Sequence, residues 1–228
     1  MATFEIHMNV DLSEFDATAE DGGDFSAHAD AAMYGTARGG RFIIDDANPL
    51  YGDYQFVNWT RLRFGFGIDI NGLTMANGDL FRMIGDSIAG GSDYRCNLYR
   101  TDPNYTIRVG VRLDDLTIPF TAAVIVPDEP VWIEIDMKVS SGAGADDGFV
   151  RIWVDTDVTG AASAELTGLN SDAQDIDGFV IGAITNIDVG TSGTFYIDEI
   201  YGNDTGAAIG PPSVVAPKMM HYAQMRNG

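Results

Sequence analysis

The sequence predicts an all-β protein built from antiparallel sheets. Its central stretch, residues 130–156, contains two runs of alternating apolar and polar side chains, and the segment joining them ends in Asp147-Gly148. Alternation with a period of two is typical of strands that bury one face, and Asp-Gly is a strong turn signal. About a dozen short runs of this kind, separated by turn signals and with no convincing helix, indicate a β-sandwich or barrel.

The two runs of this central stretch are predicted to form one long hairpin. One side of the hairpin is apolar and carries Val131, Ile133, Ile135, Met137, Val150, Ile152 and Val154. The other side is charged and aromatic and carries Trp132, Glu134, Asp136, Lys138, Phe149, Arg151, Trp153 and Asp155. Because antiparallel sheets commonly pack one face on the core and expose the other, we expect the charged side to face water.

Further strands are expected before and after the hairpin. They are predicted at residues 3–10, 25–34, 41–46, 54–58, 61–70, 80–88, 93–100, 105–114, 117–126, 176–186 and 193–202. The run at 117–126 is broken by Pro119, which cannot donate to a strand ladder. Residues 11–24 and 45–53 are interpreted as loops because they combine acidic residues with glycine or proline.

Charge and cysteine content limit the classes of partner. The chain has 34 acidic and 13 basic residues, a net charge of −21. Such a charge repels phosphate backbones, so nucleic acid is not an expected partner; it suits a solvated acidic surface, cation binding or a saline setting. The single cysteine, Cys96, cannot form an intrachain disulfide, and we expect it to fill a small space in the core.

The N-terminal segment and the apolar runs bear on localisation. The first residues have neither the basic start nor the apolar core of a signal peptide. No run approaches the roughly 18 apolar residues of a membrane span, so no membrane insertion is expected. We therefore expect a soluble protein without a classical signal peptide, found in a virion or another extracellular assembly, or otherwise in the cytoplasm.

The composition changes near residue 204, which divides the chain in two. We expect a sandwich over residues 1–204 and a Gly/Pro-rich extended tail over residues 205–228. The tail is too short to form its own core, so it is predicted to dock on its own sandwich or on a neighbouring subunit. The side chains proposed for this assembly contact are Met219, Met220, Tyr222 and Met225.

Two sequence patterns resemble the concanavalin A-like lectin/glucanase superfamily. The first is W-x-E-x-x-(M/V)-K-V followed by DG-x-x-x-x-W-V-D within residues 132–155, and the second is GTFYIDEI at residues 193–200. The resemblance spans residues 3–204, and the chain more narrowly resembles the laminin-G-like branch, including its virus and environmental types. It implies a jelly roll of two antiparallel sheets. Members include lectins, glycosidases, lyases and structural domains, so the fold does not choose an activity.

Glu134 and Asp136 form the first candidate site. Laminarinase-type glycosidases of this superfamily carry three alternating acids on one strand, and retention needs two carboxyl groups about 5–5.5 Å apart. Glu134 and Asp136 match the first two positions, but Lys138 stands where the third acid is required. We therefore assign no catalytic residue and do not expect an enzyme. Instead, Lys138 is expected to pair with these carboxylates, within a ladder of ion pairs to the arginines Arg108, Arg112 and Arg151.

The charged side of the hairpin is also a candidate surface for carbohydrate or a protein partner. The residues assigned to it are Trp132, Trp153, Arg63, Arg108, Arg112, Arg151 and Glu134. Aromatic rings stack on sugars or on apolar surfaces, and arginine supplies forked donors. A sugar site, a protein interface and a face covered by the protein's own loops all fit this pattern, and we favour an interface or a covered face.

A structural calcium ion is the third candidate. Calcium is bound by six to eight oxygen atoms, and the family resemblance implies a ligand at Asp198 in the last strand, near the N-terminal loop. Asp11, Glu14 and Asp16 could complete the set. The alternative is that these aspartates only form turns.

Three functions follow from these observations. We favour a non-enzymatic structural protein, a jelly-roll subunit of a larger assembly such as a virion decoration, fibre or capsid-associated protein. Its expected partners are copies of itself or other structural subunits. The alternative is a lectin-like carbohydrate-binding module with a glycan partner, and the second alternative is a glycoside hydrolase or lyase.

Overall fold

The computed structural model describes residues 1–70, 72–86, 94–154 and 157–212. Two antiparallel sheets pack face to face, so the predicted all-β antiparallel sandwich is confirmed. Within the described residues, the helical segments are two short 3₁₀ turns at Asp21–Gly23 and Ala29–Ala31. No helix in this part of the chain is both long enough and apolar enough to span a bilayer.

In the part of the chain that the structure describes, sixteen strands build the two sheets. Their bounds are β1 Thr3–Ile6, β2 Ala17–Ala19, β3 Phe25–His28, β4 Gly39–Ile44, β5 Leu50–Trp59, β6 Arg61–Asp69, β7 Leu73–Thr74, β8 Leu80–Gly85, β9 Tyr94–Thr101, β10 Asn104–Val111, β11 Val124–Val126, β12 Val131–Lys138, β13 Gly148–Val154, β14 Ala164–Leu169, β15 Ile176–Thr185 and β16 Ser192–Asn203. Most of them follow the alternating runs of the sequence.

The strand order places distant parts of the chain side by side. In the first sheet, sheet A, the order is β14-β13-β12-β6-β16-β4-β3, and β1 and β7 also pair with β16. In the second, sheet B, the order is β11-β10-β9-β8-β15-β5-β2. The last strand of the sandwich, β16, therefore lies inside sheet A between β6 and β4.

The central hairpin forms in the expected register. Strands β12 and β13 are antiparallel, with Ile133 opposite Val154 and Lys138 opposite Phe149. The apolar side of the hairpin is buried in the core, where Ile133 is fully buried. Period-two alternation was therefore sufficient to fix both the pairing and the inward face.

Aromatic rings fill the space between the sheets. Phe25, Phe42 and Phe195 of sheet A stack in a row, with ring centroids 4.2 Å and 4.8 Å apart. Phe64 of β6 lies 5.6 Å from Phe179 of β15, so this pair joins the two sheets. Fully burying a large apolar side chain contributes about 1.5–3 kcal/mol, which makes this row a main source of stability.

Cys96 is a core residue, as expected from the sequence. It lies on β9 and is completely buried in the hydrophobic core. Burial raises the pKa of its thiol well above the usual value, because the apolar surroundings disfavour the thiolate.

The structure differs from the expected strands in several places. The run at 117–126 is strand only over Val124–Val126, because Pro119 interrupts it. β5 begins at Leu50, inside the segment interpreted as a loop. Ala164–Leu169 forms an edge strand that alternation did not reveal. The four side chains proposed for the assembly tail, Met219, Met220, Tyr222 and Met225, lie outside the described residues.

Candidate functional site

The central part of the charged side of the hairpin, around Trp132, Glu134 and Trp153, does not face water, which corrects the expectation from alternation for these residues. Arg151, on the same side, is more than one third exposed. Trp132 and Glu134 are fully buried, and Trp153 and Arg63 are only 6% and 7% exposed. Side chains from the loop after β13 and from the segment after β16 pack over them, and these residues are Val158, Ala162 and Ile209. The protein's own chain therefore covers this part of the hairpin, which agrees with the covered face that the sequence favoured alongside an interface.

Glu134 is the anchor of this covering. Its Oε1 atom accepts hydrogen bonds from Arg63 Nε and from the backbone N–H of Ile209 at 3.1 Å. Its Oε2 atom accepts from Gly210 N–H at 2.9 Å and from Trp132 Nε1 at 3.3 Å. A buried carboxylate with a cation and three further donors is fully satisfied, so Glu134 holds the segment after β16 onto sheet A.

Arg63 uses its remaining donors in the same network. Its Nη1 and Nη2 atoms donate to the carbonyl groups of Gly206 at 3.1 Å and of Val158 at 2.8 Å. The guanidinium carbon lies 4.5 Å from the centre of the Trp153 ring, and Trp153 Nε1 donates to the Gly160 carbonyl at 3.1 Å. We call this buried set, centred on Glu134 and Arg63, the sealed face.

The covering segment is shaped by a turn at Asn203. The side-chain Oδ1 of Asn203 accepts from the backbone N–H groups of Thr205, Gly206 and Ala207 at 3.1, 2.8 and 3.2 Å. Gly206 has φ of 75°, and a Cβ there would lie 1.8 Å from Arg61 Cζ. The positive φ favours glycine at this position, and a Cβ would force the Arg61 guanidinium to move. The turn directs residues 207–210 across the sheet.

Asp136 is also held in an ion pair. It accepts from Arg61 Nε at 2.9 Å and Arg61 Nη2 at 2.7 Å, a bidentate arrangement. The expectation that Lys138 pairs with Glu134 and Asp136 is wrong. Its Nζ atom instead lies 2.9 Å from Oδ2 of Asp147, in the segment that joins the two strands. Both acids of the partial glycosidase pattern are thus engaged by arginines of β6, and the sealed face leaves no room for a sugar between them.

Two of the three arginines expected beside these acids lie in the other sheet, and the third, Arg151, stands opposite Asp136 in register but pairs with another acid. Arg108 and Arg112 belong to β10 and the residues directly after it, in sheet B, so they share no face with Trp132. Arg151 is on β13, but its Nε donates to Glu165 on the neighbouring edge strand at 3.0 Å. The expected ladder fails because alternation indicates which side of a strand a residue takes but not which sheet the strand joins.

A second polar face lies on the outside of sheet B. Arg82 of β8 and Arg108 of β10 both stand opposite Asn97 of β9, so the three form one row across the strands. Arg95 and Tyr99 lie on the same side of β9, since they alternate with residues that face the core. We call this group of Arg82, Arg95, Asn97, Tyr99 and Arg108 the arginine face.

The polar atoms of the arginine face are incompletely paired. Asn97 is only 8% exposed, and its Nδ2 donates to the Tyr99 hydroxyl at 3.1 Å. Its Oδ1 and the Nε atoms of Arg82 and Arg95 are buried without a hydrogen-bond partner. Burial lowers the pKa of Arg82, and the charge of Arg95 lowers it further. This face therefore carries unsatisfied donors and acceptors where the sealed face carries none.

Gly85 leaves space beside Arg95 in the next row of the sheet, whereas the chain around Phe120 covers Gly110 on the other side. Gly85 of β8 and Gly110 of β10 are its neighbours in register. Gly110 is approached closely by the chain around Phe120, since a Cβ there would lie 2.8 Å from the Pro119 carbonyl oxygen. The alternation of Arg95, Asn97 and Tyr99 with core residues was the signal that could have revealed this face.

Asp198 is buried beneath the turn after β3. It accepts from Met33 N–H at 2.7 Å, from Thr36 Oγ1 at 2.5 Å and from Glu199 N–H at 3.0 Å. Burial raises its pKa to about 6, despite the hydrogen bonds from Thr36 and Met33 that lower it. Protein donors thus occupy the oxygen atoms that a calcium ion would need.

The other three expected calcium ligands do not join Asp198. Asp11 accepts from Ser13 N–H at 2.9 Å, Glu14 from His7 N–H at 2.5 Å, and Asp16 from Gln55 N–H at 2.7 Å. The Asp11 contact is local and typical of acidic residues in turns, whereas Asp16 is held by the backbone of β5. These residues do not fit a shared calcium site.

A different acidic group lies close together on the surface. Among the described residues, Asp21, Asp45 and Asp46 have oxygen atoms within 4.8 Å of one another, and all three are exposed. Such groups are common without an ion, and calcium binding stays a prediction.

Comparisons with known proteins identify the fold. No protein-family model matches the chain, and no curated protein matches it in sequence. Among solved structures, the globular domain of Trypanosoma cruzi calreticulin has a TM-score of 0.55 at 11% identity, covering 88% of this chain and 87% of that one.

Two glycoside hydrolase structures are similar at a TM-score of 0.50. One is an engineered GH43 enzyme with endo-xylanase and exo-arabinofuranosidase activity, at 11% identity over 73% of this chain. The other is a bifunctional GH43-CE protein of Bacteroides eggerthii, at 12% identity over 81% of this chain. The chain spans only 34% and 22% of their lengths. Together these structures show a β-sandwich fold of the jelly-roll kind and nothing more specific.

Proposed function

We propose that this protein is a non-catalytic binding module of the lectin-like kind, which holds a carbohydrate against the arginine face of sheet B. The observation that carries the proposal is Asn97, a nearly buried amide with an unpaired oxygen between two arginines. Buried polar atoms are normally satisfied, and exceptions call for an explanation such as a missing ligand. Sugar hydroxyl groups are suitable donors for that oxygen.

The sealed face supports the same proposal by contrast. Its tryptophans are covered, so they cannot stack on a sugar, and Glu134 and Asp136 are held by Arg63 and Arg61. The arrangement that suggested glycosidase chemistry is better explained as a structural network. Binding without bond cleavage is then the simplest function for the remaining polar face.

The finer family assignment and the assembly role are also proposals. We assign the sandwich to the laminin-G-like branch, which is supported by the register of the β12–β13 hairpin with Trp132 and Trp153 on one side. A jelly-roll subunit of a virion or another extracellular assembly would place such a binding module on a surface. The tail contacts expected in that assembly stay a prediction.

A glycan array tests the proposed function. The full chain should bind at least one immobilised carbohydrate, and Asn97→Ala should weaken that binding about tenfold or more, the effect of losing a hydrogen bond in a desolvated site. Asn104→Ala, at the exposed end of β10, is the matched control and should bind like wild type. Absence of binding to any glycan, or equal binding by Asn97→Ala, would refute the proposal.

A further inference from the structure

We propose that the carbohydrate bound by the arginine face is an acidic saccharide, and this inference rests on the function proposed above. Its carboxylate or sulfate group would accept hydrogen bonds from Arg82, Arg95 and Arg108, and one of its hydroxyl groups would donate to Asn97. The ligand class follows from three features of the face, which are its unpaired charge, its spacing and its mixture of donors and an acceptor.

The first feature is the charge. None of Arg82, Arg95 and Arg108 forms an ion pair with any residue that the structure describes, whereas Arg61 and Arg63 of sheet A each pair with a carboxylate. Arg108 instead lies over the Tyr99 ring, with its guanidinium carbon 5.2 Å from the ring centre. Three unpaired guanidinium groups on one face attract an anion.

The overall charge of −21 does not cancel this attraction at contact distance. At physiological salt the Debye length is about 8 Å, so distant acidic groups are largely screened. Asp53 faces the same row of sheet B, but it is three strands from Arg95, or about 14 Å at a strand spacing of about 4.8 Å. The acidic surface instead disfavours non-specific binding of polyanions, so an anion must gain specific contacts on this face.

The second feature is the spacing. Arg82 and Arg108 flank Asn97 in register, so their backbones are two strand spacings apart, about 10 Å. Long side chains from these positions can converge on a group above Asn97. Arginine presents a planar fork of donors that matches a carboxylate or a sulfate with two parallel hydrogen bonds.

The third feature is the mixture of hydrogen-bonding groups. A simple anion only accepts hydrogen bonds, so it would leave the oxygen of Asn97 unpaired. The unpaired Nε atoms of Arg82 and Arg95 require an acceptor, and Asn97 Oδ1 requires a donor. An acidic sugar carries a charged acceptor and hydroxyl donors on one ring, whereas an isolated carboxylate lacks the donors and a neutral sugar lacks the charge.

Calorimetric titration of the full chain separates these possibilities. The probes are an oligogalacturonate, its methyl ester and a sulfated oligosaccharide. We expect the acid or the sulfate ester to bind about tenfold or more tightly than the methyl ester, because hydrogen bonds to charged groups are the stronger ones. The ratio between the two anionic probes identifies which acid group is preferred.

Substitutions then locate the contact. Arg95→Gln and Arg108→Gln should each weaken binding of the better anionic probe about tenfold. Each should change binding of the methyl ester much less. Arg151→Gln on sheet A removes the same charge away from the face and should bind like wild type. Circular dichroism of each variant verifies that the sandwich is folded.

The outcomes distinguish this inference from the proposed function. If the methyl ester binds as tightly as the acid, the acidic preference is wrong but carbohydrate binding survives. If no saccharide binds, the proposed function itself fails. If anionic probes bind equally to Arg95→Gln, Arg108→Gln and wild type, the site is elsewhere. If polyglutamate displaces the oligogalacturonate at equal carboxylate concentration, the ligand is not specifically a sugar.

Discussion

The outer faces of the two sheets carry similar residue types in opposite states. On sheet A, Arg63 is surrounded by Glu134, Trp153 and two backbone carbonyl groups. On sheet B, Arg82 and Arg95 each have a buried Nε without a partner. Arginine and aromatic side chains on a strand therefore do not identify a binding surface until their hydrogen-bond partners are known.

The difference indicates how each face contributes to the molecule. A fully paired buried network fixes the geometry of the chain around it and is costly to break, whereas a partly paired one weakens the fold. Natural proteins depart from complete pairing mainly at functional sites. The sealed face is then a structural device that fastens residues 205–210, and, under the function proposed above, the arginine face is the region where stability is given up for binding.

Removing the charge of Glu134 should lower the free energy of unfolding more than any other change considered below. Glu134→Gln leaves Arg63 charged and buried and replaces one carboxylate oxygen by an NH2 group, which turns two of the four accepting contacts into clashes between donors. The free energy of unfolding should therefore fall by about 3–5 kcal/mol. Urea denaturation followed by tryptophan fluorescence measures this, since Trp132 and Trp153 contact the network.

The matched control is Glu165→Gln on the edge of the same sheet. Glu165 pairs with Arg151 at 3.0 Å, but both side chains are more than one third exposed. Such surface pairs contribute less than about 1 kcal/mol. If the two variants lose equal amounts of unfolding free energy, the sealed face stabilises the protein no more than a surface ion pair does. The contrast drawn between the two sheets would then be wrong.

Protonation of Asp198 should make the free energy of unfolding depend on pH. Its folded-state pKa of about 6 lies above the ordinary value of 3.8, so the native state binds the proton more tightly. The stabilisation from this group is complete below about pH 4 and is lost as the pH rises to about 6. Relative to Asp198→Asn, wild type should lose about 2 kcal/mol between pH 4 and pH 7. A stability difference independent of pH would show that Asp198 is ionised throughout.

The smallest expected effect is a gain in stability from a substitution in the arginine face. Arg82→Met removes a half-buried charge, an unpaired Nε atom and the repulsion from Arg95, so the free energy of unfolding should rise by about 1 kcal/mol. Arg63→Met in the sealed face should instead lower it by about 3–5 kcal/mol. Thermal unfolding of both variants gives the sign directly. Destabilisation by Arg82→Met would mean that the arginine face is already satisfied in the free protein.

The hairpin shows how much of the fold was predictable. Alternation over residues 130–156 gave the pairing of β12 with β13 and the burial of Ile133, because side-chain direction in a strand is a local property. The solvent-facing assignment of Trp132 failed because Ile209 and Val158, which cover it, are distant in the chain. Local sequence patterns do not predict contacts between residues that are distant in the chain.

The candidate site was less predictable for the same reason. Arg108 was assigned correctly to the polar side of a strand but to the wrong sheet, since sheet membership depends on strand order. Arg82 was overlooked because a bulge between Arg82 and Ile84 interrupts the alternation of β8. The state of Asn97, an amide without a donor for its oxygen, is a property of packing that no sequence pattern expresses.

The position of β16 inside sheet A has a consequence for synthesis of the chain. β6, β4 and β1 each form hydrogen bonds with β16, and β16 is synthesised after every other strand of the sandwich. Until Ser192–Asn203 leaves the ribosome, β6 and β4 present open edges that can recruit the edges of other nascent chains. Translation that stops short of β16 should therefore yield aggregates and not a smaller stable domain.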